Sequence, residues 1–158
     1  MIRSTQPWLP GGHGHAHVPL ISTSGFFHRR CYHSGIEGEK SMDTKQVVTN
    51  YHDTWTRGDM AAARLYLADD LDFQGSIDTF HRADDFIVGL TMFQSMIRGV
   101  TLIQSYFSKH GAALLYDCDT MSPAGMVRTA EFFTVNDGKI RSIRLIFDAT
   151  ELRKIMAG

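Results

Sequence analysis

The first helix is indicated by hydrophobic side chains that recur every four residues. A helix is predicted from about Asp43 to Arg57, and Gly58 ends it because glycine tolerates the left-handed conformation that commonly follows a helix. Asp59 can then cap a shorter helix from Met60 to Leu67. The apolar face of the first helix consists of Val47, Tyr51 and Trp55.

A third helix is predicted from about Arg82 to Arg98, after a short strand from Leu71 to Ser76. An apolar stripe along one side indicates that this helix packs against a core, and Gly99 is expected to close it. The stripe contains Phe86, Leu90, Phe93 and Ile97.

The second half of the chain has the alternation and turn residues of an antiparallel meander. Its last two strands join across Asn136-Asp137-Gly138, a strong hairpin signal. Asp148 and Glu151 have the spacing of a capping box for a last helix that runs through Met156. Helices followed by a meander predict an α+β fold. The predicted strands are Val100–Ser108, Ala112–Cys118, Met126–Val135 and Lys139–Phe147.

Residues 1–41 differ in composition from the rest of the chain. They hold three of the four prolines and five of the eight histidines, with no acidic residue before Glu37. They are therefore predicted to be a disordered or loosely attached extension of one domain at residues 42–158. A mitochondrial-type presequence, a start-site artefact with translation beginning at Met42, and a genuine tail remain alternatives. We expect any metal binding by His13-Gly14-His15-Ala16-His17 to be adventitious, so no metal site is predicted.

Charge and cysteine content narrow the class of protein. The formal net charge of −1 gives no basic face for nucleic acid, so no nucleic-acid partner is expected. No apolar run approaches the ~18 residues of a membrane span. Cys31 and Cys118 lack a motif partner, which favours reduced thiols and a cytoplasmic location. Organellar targeting by the extension stays open.

The order of these elements resembles that of the nuclear transport factor 2-like superfamily over about residues 43–156. The most similar branches are the SnoaL-like polyketide cyclases, the ketosteroid isomerases and the limonene epoxide hydrolases. The resemblance implies a cone-shaped barrel, in which N-terminal helices pack in a strongly curved, mostly antiparallel sheet around a pocket. The motifs that carry it are Gly58-Asp59, Asp69-Asp70, Asp137-Gly138-Lys139-Ile140 and Phe147-Asp148.

Two residues match functional positions of these relatives. Tyr51 matches the helix-one tyrosine that donates a hydrogen bond to the developing oxyanion in the isomerases. Glu131 matches the strand position of a protonated acid in the isomerases and of a histidine in the cyclases. A buried tyrosine can also serve the core alone, and a strand glutamate can face solvent or pair with Arg128 or Arg144.

The sequence also departs from the relatives at their other catalytic positions. Gly75 stands where the isomerases have a general base and the epoxide hydrolases an asparagine. Leu145 stands where the cyclases and hydrolases have an acid, and Ala130 replaces the aspartate of the hydrolases' Arg-x-Asp pair. His81 near the first strand is an alternative proton-transfer group. Asp148 is expected to be structural.

These observations leave three hypotheses. The first is a cofactor-independent isomerase, cyclase or hydrolase that acts on a steroid-, terpenoid- or polyketide-like molecule through Tyr51 and Glu131. The second is a ligand-binding protein without catalysis, which Gly75 and Leu145 favour. The third is an interaction module that forms a homodimer through the outer face of the sheet. The predicted ligand-binding residues are Trp55, Phe73, Gln74, Phe86, Leu90, Met96, Phe107, Leu145 and Phe147.

Overall fold

The computed structural model describes residues 42–157, so the predictions for residues 1–41 lie outside the described part of the chain. The described part contains four helices and six strands. The helices are α1 (Thr44–Thr56), α2 (Met60–Arg64), α3 (Ala83–Gln94) and α4 (Thr150–Ala157). The strands are β1 (Leu67–Gln74), β2 (Thr79–Phe80), β3 (Ile97–Phe107), β4 (Gly111–Thr120), β5 (Met126–Asn136) and β6 (Lys139–Phe147).

All six strands form one strongly curved sheet with the order β2-β1-β6-β5-β4-β3. The four strands from β3 to β6 are the predicted antiparallel meander, and β1 joins it by pairing parallel to β6. Register shifts interrupt the β3–β4 and β5–β6 ladders, and such bulges increase the local bend and twist. The α+β class and the mostly antiparallel, curved sheet are thus confirmed.

Capping residues and residues with positive φ explain where α1 begins and ends and where the chain turns between β5 and β6. The Asp43 side chain accepts a hydrogen bond from the Gln46 N–H, and the Gln46 side chain accepts one from the Asp43 N–H. Gly58 has φ of 82°, the left-handed conformation predicted for it. Asp137 and Gly138 have φ of 51° and 70°, as expected for the two-residue turn between β5 and β6.

The predicted C-terminal ends of α2 and α3 are wrong, because the chain enters a strand earlier than the sequence indicated. The α2 helix ends at Arg64, because Leu67 already pairs with Ile140 of β6. The α3 helix ends at Gln94, and Gly99 lies inside β3 opposite Asp119 instead of closing a helix. The short strand β2 was not predicted.

The predicted capping box at the last helix does not form. The Asp148 carboxylate accepts hydrogen bonds from both the backbone N–H and the hydroxyl of Thr150. The Glu151 carboxylate instead pairs with Lys154 one turn later. Asp148 therefore has the structural role expected of it, by a different set of bonds.

The core lies between α1, α3 and the concave face of the sheet. Alternate residues of β4 and β5 point inward, so each of these strands contributes one row of side chains to the core. The inward row of β4 is Ala112, Leu114, Tyr116, Cys118 and Thr120, and that of β5 is Thr129, Glu131, Phe133 and Val135. Across residues 42–157, no helix reaches the length and apolar character that a membrane-spanning helix requires.

Candidate functional site

A cavity of about 740 Å³ opens between the helices and the concave face of the sheet. Its size falls within the range of small-molecule sites, which is about 300–1,000 Å³. Most of its wall is apolar, and six phenylalanine and tryptophan side chains contribute to it. They are Trp55, Phe73, Phe80, Phe86, Phe93 and Phe147.

Both predicted catalytic residues lie in the wall of this cavity. Tyr51 comes from the inward face of α1, and its ring packs edge-on against Phe133 with centroids 5.9 Å apart. Glu131 comes from the inward row of β5 and is only 2% exposed. The alternative partners considered for Glu131 are occupied elsewhere, since Arg128 pairs with Asp117 and Arg144 with Asp72.

Tyr116 orients the Glu131 carboxyl by a direct contact between side chains. The Tyr116 hydroxyl donates a hydrogen bond to Glu131 Oε2 at 3.1 Å, and both groups are buried. Burial raises the pKa of Glu131 from 4.5 to about 8, although the hydrogen bond from Tyr116 acts in the opposite direction. At neutral pH the carboxyl is therefore mostly protonated and can donate a hydrogen bond.

The phenols stay protonated for the same reason. Burial, with the Glu131 carboxyl as the second cause, raises the pKa of Tyr51 well above its usual range. Burial and Glu131 likewise raise the pKa of Tyr116. Burial also raises the pKa of Cys118, to about 12, so this thiol in the wall is not a ready nucleophile. The deep part of the cavity thus presents neutral hydrogen-bonding groups.

An aromatic cluster of His52, Trp55 and Tyr116 lies behind this group. The His52 ring lies 5.1 Å from the Tyr116 ring and 5.5 Å from the Trp55 ring, measured between centroids. Burial lowers the pKa of His52, while the nearby Asp53 opposes this effect. Within residues 42–157, His52 Nδ1 and Trp55 Nε1 are buried without a hydrogen-bond partner.

Most of the predicted ligand-binding residues line the cavity, but Gln74 and Phe107 do not. Gln74 is exposed because its neighbour Phe73 points inward, and successive residues of a strand point to opposite faces. Phe107 lies at the far end of β3, where the Lys45 ammonium sits 6.0 Å from its ring centroid. The predicted residues in the wall are Trp55, Phe73, Phe86, Leu90, Met96, Leu145 and Phe147.

Of the three positions at which the sequence lacks the polar side chain expected from the resemblance, two belong to the wall, and Ala130 does not. Gly75 and Leu145 both line the cavity. A Cβ atom built on Gly75 would approach the Phe73 ring to 3.0 Å, so the aromatic ring occupies the space of a larger residue there. His81 does not line the cavity. Its side chain is 77% exposed and lies 3.5 Å from an Asp72 carboxylate oxygen.

Sequence reasoning missed Tyr116. Its position in the inward row follows from the alternation along β4, but its contact with Glu131 depends on the register between two strands. Leu114 lies opposite Glu131, and Tyr116 lies opposite Thr129. The diagonal contact was not predictable, because the five residues from Met121 to Gly125 do not fix how the strands pair.

No group of three or more His, Cys, Asp or Glu side chains within residues 42–157 is placed to hold a metal ion. The cavity wall holds the carboxyl groups of Asp78, Asp85 and Glu131 and the thiol of Cys118 as its only such groups from this part of the chain. The histidine-rich segment at residues 13–17 lies outside the described residues.

Comparison with solved structures shows the same fold in proteins from several bacteria. A protein from Kribbella flavida is 27% identical with a TM-score of 0.66, over 71% of this chain and 92% of its own. A putative polyketide cyclase from Sinorhizobium meliloti is 16% identical with a TM-score of 0.59, over 64% and 94%. An LEH-like epoxide hydrolase of M. tuberculosis is 17% identical with a TM-score of 0.57, over 71% and 91%.

A comparison with curated protein sequences gave no significant match. The sequence model of the SnoaL-like domain, by contrast, matches residues 48–143. The matched segment runs from α1 to β6 and includes both Tyr51 and Glu131. The chain therefore belongs to the SnoaL-like domain family, within the nuclear transport factor 2-like fold.

Proposed function

We propose that this protein is an enzyme that moves a proton on a small apolar ketone or related oxygenated molecule inside the cavity. Tyr51 is the hydrogen-bond donor to the substrate oxygen, and Glu131 is the group that takes and returns the proton. Steroid-, terpenoid- and polyketide-like compounds are the matching substrate classes. The similarity to a putative polyketide cyclase and an LEH-like epoxide hydrolase supports this range of chemistry.

The observation that carries the proposal is the buried carboxyl of Glu131 in an apolar wall. Burying a carboxyl group is costly, and one hydrogen bond from Tyr116 satisfies it only in part. A pKa of about 8 poises the group close to neutral pH, where a general acid or base is most effective. A core built for stability alone would gain from an apolar residue at this position.

The proposed step is an isomerisation through an enol or enolate. The ionised Glu131 carboxylate removes a proton from the carbon next to the substrate carbonyl, and the electron pair moves onto the carbonyl oxygen. The Tyr51 hydroxyl stabilises that oxygen by a hydrogen bond. In a β,γ-unsaturated ketone, Glu131 then gives a proton to the γ-carbon, the double bond moves into conjugation with the carbonyl, and Glu131 regains its charge. While Glu131 carries the proton it can exchange with water, so a simple ketone exchanges its α-protons through the first step and its reverse. One carboxyl suffices for this cycle, so the step needs no polar side chain at Gly75 or Leu145.

Deuterium exchange tests the proposal with simple ketones in place of the natural substrate. Apolar cyclic ketones are incubated with the protein in deuterium oxide, and loss of the proton next to the carbonyl is followed by NMR. We expect exchange that rises with pH towards a plateau above the Glu131 pKa of about 8. Glu131→Gln is expected to abolish it, and Tyr51→Phe to slow it by about 10²–10³. No exchange above the Glu131→Gln background with any ketone would refute proton transfer.

The second candidate function is ligand binding without catalysis, which the lack of a polar side chain at Gly75 and Leu145 favours. It predicts that ketones bind in the cavity and come out unchanged. Native mass spectrometry of the purified protein, followed by a denatured run, distinguishes the cases when combined with exchange. A bound ketone with no exchange would establish binding and reject the enzyme.

We also propose that two copies associate through the outer face of the sheet. Tyr106, Phe132 and Ile146 are 61%, 47% and 59% exposed, although each is a large hydrophobic residue of a central or edge strand. Phe132 lies between Ala113 of β4 and Arg144 of β6, so its ring stands on the face opposite to the cavity. Apolar side chains grouped on one face are typical of protein–protein interfaces.

A further inference from the structure

The charged side chains that line the cavity from residues 42–157 are all acidic. Its lining residues from 42–157 include Asp78, Asp85 and Glu131 and no Lys, Arg or His. Because Glu131 is mostly protonated at neutral pH, the charge of the wall is that of the two aspartates. Glu131 lies deep and is 2% exposed. Asp78 and Asp85 are exposed to solvent while lining the cavity, so they lie at its opening.

The exposed side of α3 forms one edge of this opening. Asp85, Val88, Met92 and Met96 are spaced so that they lie along one face of the helix and its end. Val88 and Met92 are 62% and 59% exposed, although both line the cavity. A molecule that enters must therefore pass apolar side chains with the Asp85 carboxylate beside them.

The carboxylates at the opening form no ion pair within residues 42–157, although the Arg153 guanidinium lies at the same edge, where it donates a hydrogen bond to the Ser76 carbonyl. Asp84 precedes Asp85 and forms ion pairs with both Arg64 and Arg82. Asp78 and Asp85 form no ion pair with any residue among 42–157. Their negative charge thus acts on whatever occupies the opening, and water screens it only in part.

The deep wall requires a different property of the ligand. The Trp55 side chain lines the cavity and is 1% exposed, and its indole N–H has no partner within the described residues. This N–H lies beneath the cavity surface, so the donors that a ligand oxygen can reach are those of Tyr51 and Glu131, which burial keeps protonated at neutral pH. A carboxylate there would lose its hydration with no cation to replace it, which is strongly unfavourable.

On these grounds, and resting on the proposed function, we infer that the cavity selects its ligand by charge. It takes apolar molecules with an uncharged acceptor oxygen at the inner end and a neutral group or a protonated amine at the outer end. It rejects molecules whose outer end is a carboxylate or a phosphate. Free fatty acids and acyl thioesters with phosphates at the opening are thereby excluded as substrates.

Three matched probes test the selection. They are acetylnaphthalene ketones that differ only in the substituent opposite the acetyl group, which is aminomethyl, hydroxymethyl or carboxylate. Dissociation constants are measured by fluorescence at neutral pH and low salt. We expect the order amine, alcohol, carboxylate, with about tenfold between alcohol and carboxylate, since two unit charges a few ångströms away each contribute a factor of a few in a high dielectric. About 1 M NaCl should reduce the differences between the three dissociation constants, because salt screens the aspartate charges.

Substitutions at the opening identify the source of the preference. Asp78→Asn with Asp85→Asn removes both charges, and we expect the three probes then to bind within about twofold of one another. Asp53→Asn with Asp137→Asn removes the same charge from α1 and from the β5–β6 turn, away from the cavity wall. This control variant should keep the order of the wild type.

The outcomes separate this inference from the proposed function. Equal binding of the alcohol and the carboxylate by the wild type would overturn charge selection and leave ketone binding intact. An unchanged order in the Asp78→Asn, Asp85→Asn variant would assign the preference to other groups and also overturn the inference. Failure of all three probes to bind would refute the ligand-binding site itself, and the charge selection with it.

Discussion

Replacing Glu131 by glutamine measures how strongly the fold opposes a negative charge in the cavity. The carboxyl ionises near 4.5 when the chain is unfolded and near 8 in the folded protein. Between these values the folded state holds a proton that the unfolded state has lost, so the free energy of unfolding falls as the pH rises. At about 1.4 kcal/mol per pKa unit, the total loss is on the order of 5 kcal/mol and is complete above the folded pKa.

Urea unfolding of the wild type and of Glu131→Gln, from about pH 5 to about pH 9, gives the comparison. Glutamine keeps the size of the side chain and can accept the hydrogen bond from the Tyr116 hydroxyl. We therefore expect the two proteins to agree within about 1 kcal/mol near pH 5. The advantage of the variant should then grow with pH and level off above about pH 8.

The difference between two proteins removes contributions that both share. Asp72 and Asp117 have pKa values lowered from 3.8 by their arginine partners, so the stability that they contribute is constant across this pH range in both proteins and is lost only at lower pH. Glu151→Gln is the control variant, because it removes a glutamate charge at an exposed position of α4. A difference between wild type and Glu131→Gln that stays flat across this pH range would show that Glu131 ionises freely, and would refute the reasoning.

Three further predictions concern a hydrogen bond, a backbone conformation and the outer face of the sheet. Tyr116→Phe removes the hydrogen bond that lowers the pKa of Glu131, so the pH profile of deuterium exchange should move to higher pH, and an unmoved profile would contradict the contact. Gly58→Ala places a residue with a Cβ at a φ of 82°, so it should lower the free energy of unfolding, measured with urea, by about 1 kcal/mol. Gly99→Ala is the control and should change this free energy little, because a Cβ atom at Gly99 would have no neighbour within 4 Å. Phe132→Glu should convert a dimer to a monomer in sedimentation equilibrium, and a monomeric wild type would contradict the proposed interface.

Much of the fold was predictable because local signals and the global arrangement agree. Gly58 in the left-handed conformation and the Asp137-Gly138 turn both lie where the sequence indicated. The boundaries of α2 and α3 were not predictable, since long-range pairing in the sheet ends these helices early. Ile97, assigned to the apolar stripe of α3 from sequence, belongs to β3 opposite Thr120.

A residue of the candidate site was predictable only where the alternation along its strand was sufficient to place its side chain in the cavity. Glu131 shares its face with Thr129 and Phe133, and all three are buried as the alternation along β5 suggests. Gln74 was placed in the site although the same alternation, applied to Phe73, excludes it. The role of Tyr116 was missed because its hydrogen bond to Glu131 joins β4 to β5, and the register between these strands is set by packing of the whole sheet.

The central claim is that Glu131 is a protonatable carboxyl within a ligand cavity, and carbon-13 NMR tests it most directly. The chain has four glutamates, Glu37, Glu39, Glu131 and Glu151, so labelling the glutamate carboxyl carbon gives few signals, and Glu131→Gln identifies the relevant one. We predict that this signal titrates near the pKa of about 8 and shifts when the uncharged ketone probe binds. A signal that titrates near the ordinary 4.5 and ignores the probe would contradict the account.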